Sequence, residues 1–537
     1  MTTDATRTPS PRVVDEPRAD PSASGRRARE RRRGQVARWA PRFAMATIVV
    51  AYVVWFTVRS LDNHHALGTA TYDSALYDQG IWLLSRFDAP FVTLMGRNLF
   101  GDHTSFVLLA LVPLYWVWPS AGVLFGAQAL AIGLGAVPVF LVARRRIGEW
   151  AGVVLGSTYL LHPAVGWTNL ENFHPDAFLA PFVGLALWAA LERRWRIYVV
   201  FVVLALAVKE DASLVIVPLG VWVSLARDRR MGVATVAGSV LFALVATFVV
   251  MRGLNGVPTR NGWRIPFGGP LGVIDTAVTN PTDLVAYLSD GGRPWYLLQM
   301  TAPFAWAFLR RPAVAAISAV VLFTNVLSTF PYQHRIEFHY GLVAVPALAI
   351  ATALAIGAIG RPLDGRPPGV ASAGADGRSQ GATTRALAIV VVAAATFVTS
   401  VLWSPVPWGR SPQFHGDPAQ PRAAAARELM ALIPADAVVS AHYRLTPHLA
   451  HRREIYQFPT PFRTVLYGTG GDEDGGRMSE RSERVEFVVL PAAARDHPVA
   501  DWELVAPAFT LVEANEHWRL WRRDPDVRLP AERPPGS

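Results

Sequence analysis

Five polar clusters interrupt an otherwise apolar chain, and their residue types suit acid–base and phosphate chemistry. The first is Tyr72-Asp73 followed by Tyr77-Asp78-Gln79. On a helix, Asp73 and Tyr77 stand at i,i+4 and share a face, as do Asp78 and Trp82. A carboxylate beside aromatic rings suits sugar binding and general-base work, in which it takes the proton of an attacking hydroxyl. A capped surface helix is the alternative. The second cluster is Gly101-Asp102-His103-Thr104. Asp102 suits a helix N-cap, and His103 suits acid–base work or phosphate binding. The third is Glu171-Asn172-Phe173-His174-Pro175-Asp176. Pro175 and Asp176 are ordinary at a helix start, but a short turn carrying His, Glu and Asp together is not. The fourth, Lys209-Glu210-Asp211, holds the only lysine among 51 basic residues. It suits a phosphate, with a carboxylate holding the lysine in place; a self-neutralised charge cluster is the alternative. The fifth runs from Tyr332 to Tyr340. Arg335 offers phosphate a fork of donors, with His339 and Tyr340 beside it. His334 and His339 are five apart and form no zinc motif.

The elements that position these residues are apolar. The chain has 537 residues, 51% of them hydrophobic, and a mean hydropathy of +0.25. Apolar runs separated by short Arg-rich loops predict transmembrane helices. The pI near 10.2 does not point to nucleic acid, because the arginines flank apolar runs, where positive charge sets membrane orientation. There is no cysteine, which excludes disulfides, thiolate nucleophiles and Cys-ligated metals. No phosphate-binding glycine loop is present. The Arg and Ala bias suggests a GC-rich bacterial genome.

Residues 1–42 read as a disordered, basic cytoplasmic tail. A transmembrane domain is expected over 43–403, with its N-terminus inside. The loop Leu61–Ser105 then lies outside and is the reaction-type loop. Phe106–Trp118, roughly 20 Å long as a helix, is short for a ~30 Å hydrocarbon core. It is expected to lie on or dip into the outer surface. About 11 spans follow from that choice. Ile197–Val208 and Ala212–Ala226 are read as a hairpin with Lys209 near its recessed tip, since charges at mid-membrane are costly. A cytoplasmic linker is expected over 360–385. Residues 404–537 form a small extracytoplasmic α/β domain, with a helix over Ala419–Leu432. Its strands are expected over Ala437–His442, Val485–Leu490, Thr510–Val512 and His517–Trp521. Gly468–Glu483 reads as a mobile loop.

The motifs Tyr-Asp-x4-Asp-Gln, Gly-Asp-His, Asn-Phe-His-Pro-Asp and Lys-Glu-Asp resemble a bacterial polytopic membrane family known only as a domain of unknown function. So does the outer segment Val439-Ser440-Ala441 through Phe458-Pro459. The architecture in turn resembles the GT-C glycosyltransferases. That resemblance implies an all-α polytopic membrane domain with juxtamembrane helices in the first outer loop. It implies transfer of a sugar from a polyprenyl-phosphate donor to an envelope glycan, lipid or protein on the outer face of the plasma membrane. By the same resemblance Asp73 or Asp78 is the base and Asp102 and His103 a second layer or metal site. Lys209, Arg335 and His339 then face the lipid phosphate, and His174, Asp176, Glu210 and Tyr340 complete the binding set. A divalent cation, Mg or Mn, is compatible but not required. The first loop lacks the adjacent acidic pair of the best-known GT-C enzymes. The alternatives are a transporter or flippase of a lipid-linked precursor and a non-catalytic envelope assembly protein.

Overall fold

The computed structural model describes residues 21–530, apart from 260, 361–374, 412–415, 467–474 and 494–497. Part of the expected tail, part of the linker and half of the expected mobile loop therefore lie outside the described residues. The first helix runs Pro21–His65, so it begins within the stretch read as a disordered tail.

Five helices are long and apolar enough to cross a membrane: Trp39–His65, Ala121–Arg146, Arg229–Asn255, His339–Gly357 and Gln380–Trp403. Four more apolar helices are shorter, among them Phe106–Val117, Pro175–Leu191 and Trp195–Leu206. The expected 11 spans are thus not established by length and composition. The reason is that the chain breaks several apolar runs. Pro163 splits one of them into Glu149–Leu160 and Pro163–Leu170, because it lacks an N–H and clashes with the preceding turn. Around Lys209 the two helices Trp195–Leu206 and Ser213–Ala226 meet at a turn, as the expected hairpin has it.

Helix burial orders the bundle. His339–Gly357 is buried along most of its length (89%), whereas the spans beginning at Trp39, Arg229 and Gln380 are mostly exposed. The exposed faces carry Val50, Val54, Leu241, Leu244, Val390 and Phe397, a surface that only a lipid solvent accommodates without cost. Small residues let the inner helices approach closely. At Gly184, an added Cβ would fall 2.5 Å from Pro138.

The C-terminal region carries a five-stranded mixed sheet. The first loop contributes β1 (Phe91–Val92) and β2 (Arg97–Asn98), an antiparallel pair. The sheet itself contains β3 (Val439–Ala441), β4 (Ile455–Gln457), β5 (Phe487–Pro491), β6 (Phe509–Ala514) and β7 (Trp518–Arg523), in the order β4-β3-β5-β7-β6. β3 pairs in parallel with β4 and β5, while β7 pairs antiparallel with β5 and β6. This sheet shares one hydrophobic core with the loop after the first span: Leu67, Ile81, Val92 and Leu99 pack in the same cluster as Val439, Ile455, Val489 and Trp518. Polar ties reinforce it. Thr93 Oγ1 donates to the Ile455 carbonyl at 2.7 Å and accepts from its N–H at 3.0 Å. The C-terminal domain is therefore the brace that shapes the first loop.

Candidate functional site

Three chain breaks and one helix start meet where the first loop covers the bundle. Asp73 sits in the irregular turn Thr71–Ala75 with φ 75° and ψ −79°. This lies near the strained γ-turn conformation and costs about 1–3 kcal/mol for a residue with a side chain. Such strain persists only where neighbours over-determine it, and here they do. Thr71 Oγ1 lies 2.7 Å from Thr446 Oγ1 and donates to the Tyr443 carbonyl. Ser74 Oγ donates to Asn172 Oδ1 at 2.9 Å. The backbone is thus pinned from both the C-terminal domain and the Glu171–Asp176 turn.

That turn is itself held from below. Buried Gln128 donates to the Asn172 carbonyl at 2.7 Å and accepts from the His174 N–H at 2.7 Å. The His174 ring stacks on His339 with centroids 3.6 Å apart. His174 Nε2 lies 2.5 Å from Glu171 Oε2 and 3.8 Å from Asp73 Oδ2. His339 Nδ1 is 3.6 Å from the same Glu171 oxygen, beyond hydrogen-bond reach, and among the described residues it has no hydrogen-bond partner. Burial raises the Asp73 carboxyl to about 6, outweighing the cationic pull of His174 and Lys209. Burial opposes charge on His174, but Glu171 and Asp73 overcome it and raise the imidazole to about 9.

Lys209 stands beside this group in an extended conformation at the break between its two helices. Its ammonium lies 3.7 Å from Asp176 and 3.4 Å from Asp211. Burial disfavours its charge, yet the surrounding carboxylates hold it protonated, well above the usual lysine range. Glu210 turns the other way: its Oε1 meets His103 Nδ1 at 2.7 Å and its Oε2 accepts from the Thr104 N–H at 3.1 Å. Burial raises the Glu210 carboxyl, but His103 and Lys209 prevail and hold it down at about 2. These groups line a cavity of about 400 Å³, to which Asp176, Arg264, Asn325 and Tyr340 also contribute. Asp73 feels the charges of both Lys209 and Asp176.

The sequence-nominated residues thus divide. Asp73, His174, Asp176, Lys209, Glu210, His103, His339 and Tyr340 are brought together. Asp102 pairs with Arg97 at 2.7 Å and ends the short helix Leu99–Asp102; the residue that precedes the helix at Phe106 is Ser105, so Asp102 does not cap it. Arg335 is half-exposed and pairs with Glu337 at 3.5 Å, outside the cavity lining, where Arg264 stands instead. Asp78 is elsewhere and fully engaged. Its Oδ1 accepts from Tyr115 Oη at 2.7 Å and meets His451 Nε2 at 2.8 Å, and the residue is buried. It ties the first loop to the C-terminal domain. Asp78→Ala is expected to lower stability by about 2–3 kcal/mol, because it strands a buried tyrosine hydroxyl and removes a charged acceptor; thermal or denaturant unfolding in detergent checks this. Glu171, Asp211, Arg264 and Gln128 were not singled out. Glu171 and Asp211 lie inside the motifs read from the sequence, but nothing local marks Arg264 or Gln128.

Comparison with known proteins places the fold and the family. The chain shares its fold with ArnT from Cupriavidus metallidurans. In the apo state that protein gives a TM-score of 0.52 at 16% identity, over 90% of this chain and 98% of that one. Bound to undecaprenyl phosphate, it gives 0.51 at 15% identity, over 89% and 97%. At these identities the likeness is one of fold alone. None of the curated proteins compared with it matches the sequence. The family described as "Predicted membrane protein (DUF2079)" matches residues 63–502. The chain belongs to that family of membrane proteins.

Proposed function

We propose that this protein is a membrane glycosyltransferase that moves a sugar from a polyprenyl-phosphate donor to an acceptor hydroxyl, with Asp73 as general base. The observation that carries the reading is a strained, part-exposed carboxylate that contacts His174 and lies within the field of a buried lysine lining a cavity. The acceptor oxygen attacks the anomeric carbon, and its proton passes to Asp73. The bond between that carbon and the phosphate oxygen breaks, and the oxygen keeps the electron pair. Lys209 is the fixed cation that stabilises the departing phosphate, and Arg264 adds a second positive group at the cavity wall. Asp73 is suited to the task because its raised pKa makes it a stronger base than an ordinary carboxylate, while 35% of its side chain stays open to an incoming hydroxyl. An apolar groove of about 790 Å³, lined by Leu130, Leu134, Phe178, Phe182 and Phe201 among others, suits the polyprenyl chain. It shares the helix Pro175–Leu191 with the polar cavity. The arginine clusters Arg144–Arg146, Arg227–Arg230 and Arg310–Arg311 lie at or next to the other ends of the helices. By the positive-inside rule they are cytoplasmic, which puts the N-terminus inside and the site and C-terminal domain outside.

Glu171, His174 and His339 also fit a divalent metal ion, since their ligand atoms lie within 4.8 Å of one another. The stacked imidazoles and the unbonded Nδ1 of His339 are what a metal would order. Two imidazoles and one carboxylate suit Zn or Fe better than Mg or Mn, and such an ion would supply electrostatic stabilisation of the phosphate. Elemental analysis of the purified protein is expected to find a bound transition metal that is lost in Glu171→Gln and His339→Ala but kept in Asp78→Asn. Equal metal content in all of these proteins would remove the ion from the account.

The reading is tested by incubating the purified protein in liposomes with a panel of labelled polyprenyl-phosphate sugars and an envelope lipid extract. Label is expected to appear in a new product for at least one donor. Donors that bind but never yield product count against it.

A further inference from the structure

A second charged cavity, of about 350 Å³, lies at the opposite end of the bundle from Asp73 and is lined by Arg144, Arg145, Glu149, Trp188, Glu192 and Arg194, with Leu141. The chain path sets its position. The span Ala121–Arg146 ends there and the helix beginning at Glu149 starts there, whereas Glu171 follows the far end of that run. The carboxylates of this cavity are already engaged. Glu192, whose side chain is 7% exposed, is held by Arg145 and lies 4.0 Å from Arg146. Glu149 Oε1 accepts from Arg42 at 3.1 Å. Arg144 and Arg194 are different: among the described residues neither has an ion pair. Each is held by an aromatic ring instead, Arg144 5.7 Å over Phe140 and Arg194 5.1 Å over Trp188. Their guanidinium groups are therefore partly pre-oriented with donors to spare. One acceptor is also left over, since Glu149 Oε2 is buried and takes no hydrogen bond.

We propose that this cavity binds the headgroup of an anionic phospholipid whose phosphodiester is linked to a polyhydroxyl group, as in a phosphatidylglycerol. The phosphate meets Arg144 and Arg194, and a headgroup hydroxyl donates to Glu149 Oε2. The source is a lipid and not a free anion because the rim is interfacial: Trp150 beside Glu149 and Trp39 near Arg42 are both exposed, as aromatic side chains at a membrane surface are. Basic pockets between helices at this kind of membrane face recognise phospholipid headgroups. The site is separate from the one proposed for sugar transfer and stands without it.

The test uses the purified full-length protein, stripped of lipid in detergent. Retention of added phosphatidylglycerol, phosphatidylcholine and inorganic phosphate is followed by native mass spectrometry and by the melting midpoint. Phosphatidylglycerol is expected to bind roughly tenfold to thirtyfold tighter than phosphatidylcholine, the weight of two interfacial arginines. Arg144→Gln with Arg194→Gln is expected to erase that preference. Arg310→Gln with Arg311→Gln, a basic pair outside this cavity, is expected to keep it. The exposed single variant Arg194→Gln gives a milder form of the same loss should the double variant fold poorly. Equal retention of the two lipids by the wild type overturns the proposal, as does an equal loss in the Arg310/Arg311 control. Inorganic phosphate that reproduces the whole effect overturns the lipid assignment.

Discussion

Asp73→Asn is expected to lower sugar transfer by about a hundredfold to ten-thousandfold, the range for loss of a positioned general base, with little change in donor binding or melting midpoint. Asparagine is the conservative choice on two grounds. It keeps the size of the side chain, and it tolerates the positive φ that this turn requires better than most residues. The fold should therefore survive while the proton acceptor is lost. Asp78→Asn provides the contrast. It loosens the bond to His451 and Tyr115, so its cost should fall on unfolding and not on the chemical step of the folded fraction. Initial rates and melting curves on the same preparations separate the two. Retention by Asp73→Asn of more than about a tenth of wild-type transfer would be far outside the range for a lost base and would remove Asp73 from that role.

Lys209→Met is the second large effect. Lys209 faces Asp176 and Asp211 directly and lies within the field of Glu210. Removing the cation is expected to weaken donor capture and to reduce turnover by about a hundredfold or more, as when one fixed donor to a developing oxyanion is removed. The same change leaves the buried Asp176 carboxylate uncompensated, which costs about 3–5 kcal/mol when one partner of a buried pair is deleted. Folding and function must therefore be separated. Lys209→Arg keeps the charge and should hold the melting midpoint near wild type, but its planar fork cannot reproduce the point charge of an ammonium. A partial rate with near-normal stability is the expected result. Wild-type turnover in a folded Lys209→Met protein would show that the lysine serves only to neutralise its neighbours.

Much of the cluster was legible because charge in an apolar setting is costly and needs a reason. Lys209-Glu210-Asp211 and His174-Pro175-Asp176 stood out against the runs that flank them, and the structure brings both into one place. The core strands of the C-terminal domain were legible from their apolar runs, with β3, β5, β6 and β7 falling on the expected stretches. What local patterns could not carry was pairing over long separations. Asp78 looked equivalent to Asp73 in sequence, yet its partner His451 lies 373 residues away, and only the fold separates the brace from the proposed base. The helical spacing assumed for Asp73 and Tyr77 also failed at its first residue, because Asp73 takes a positive φ imposed by contacts with Thr446, Tyr443 and Asn172. β4 was missed because it follows the charged Arg452-Arg453-Glu454 and runs straight into Phe458-Pro459, which leaves no apolar run to announce a strand. The expected break at Lys209 is present, whereas the break at Pro163 was not read from hydropathy, which takes Glu149–Thr168 as one continuous run.

The most direct test of the central claim counts products. The wild-type protein is reconstituted in vesicles with a polyprenyl-phosphate sugar labelled in both sugar and lipid, together with an acceptor. The account predicts that each sugar transferred is matched by one polyprenyl phosphate released, and that both signals vanish together in Asp73→Asn. If the doubly labelled donor instead crosses between leaflets with its sugar still attached, the protein moves the lipid and does not cleave it, and the transferase reading is wrong.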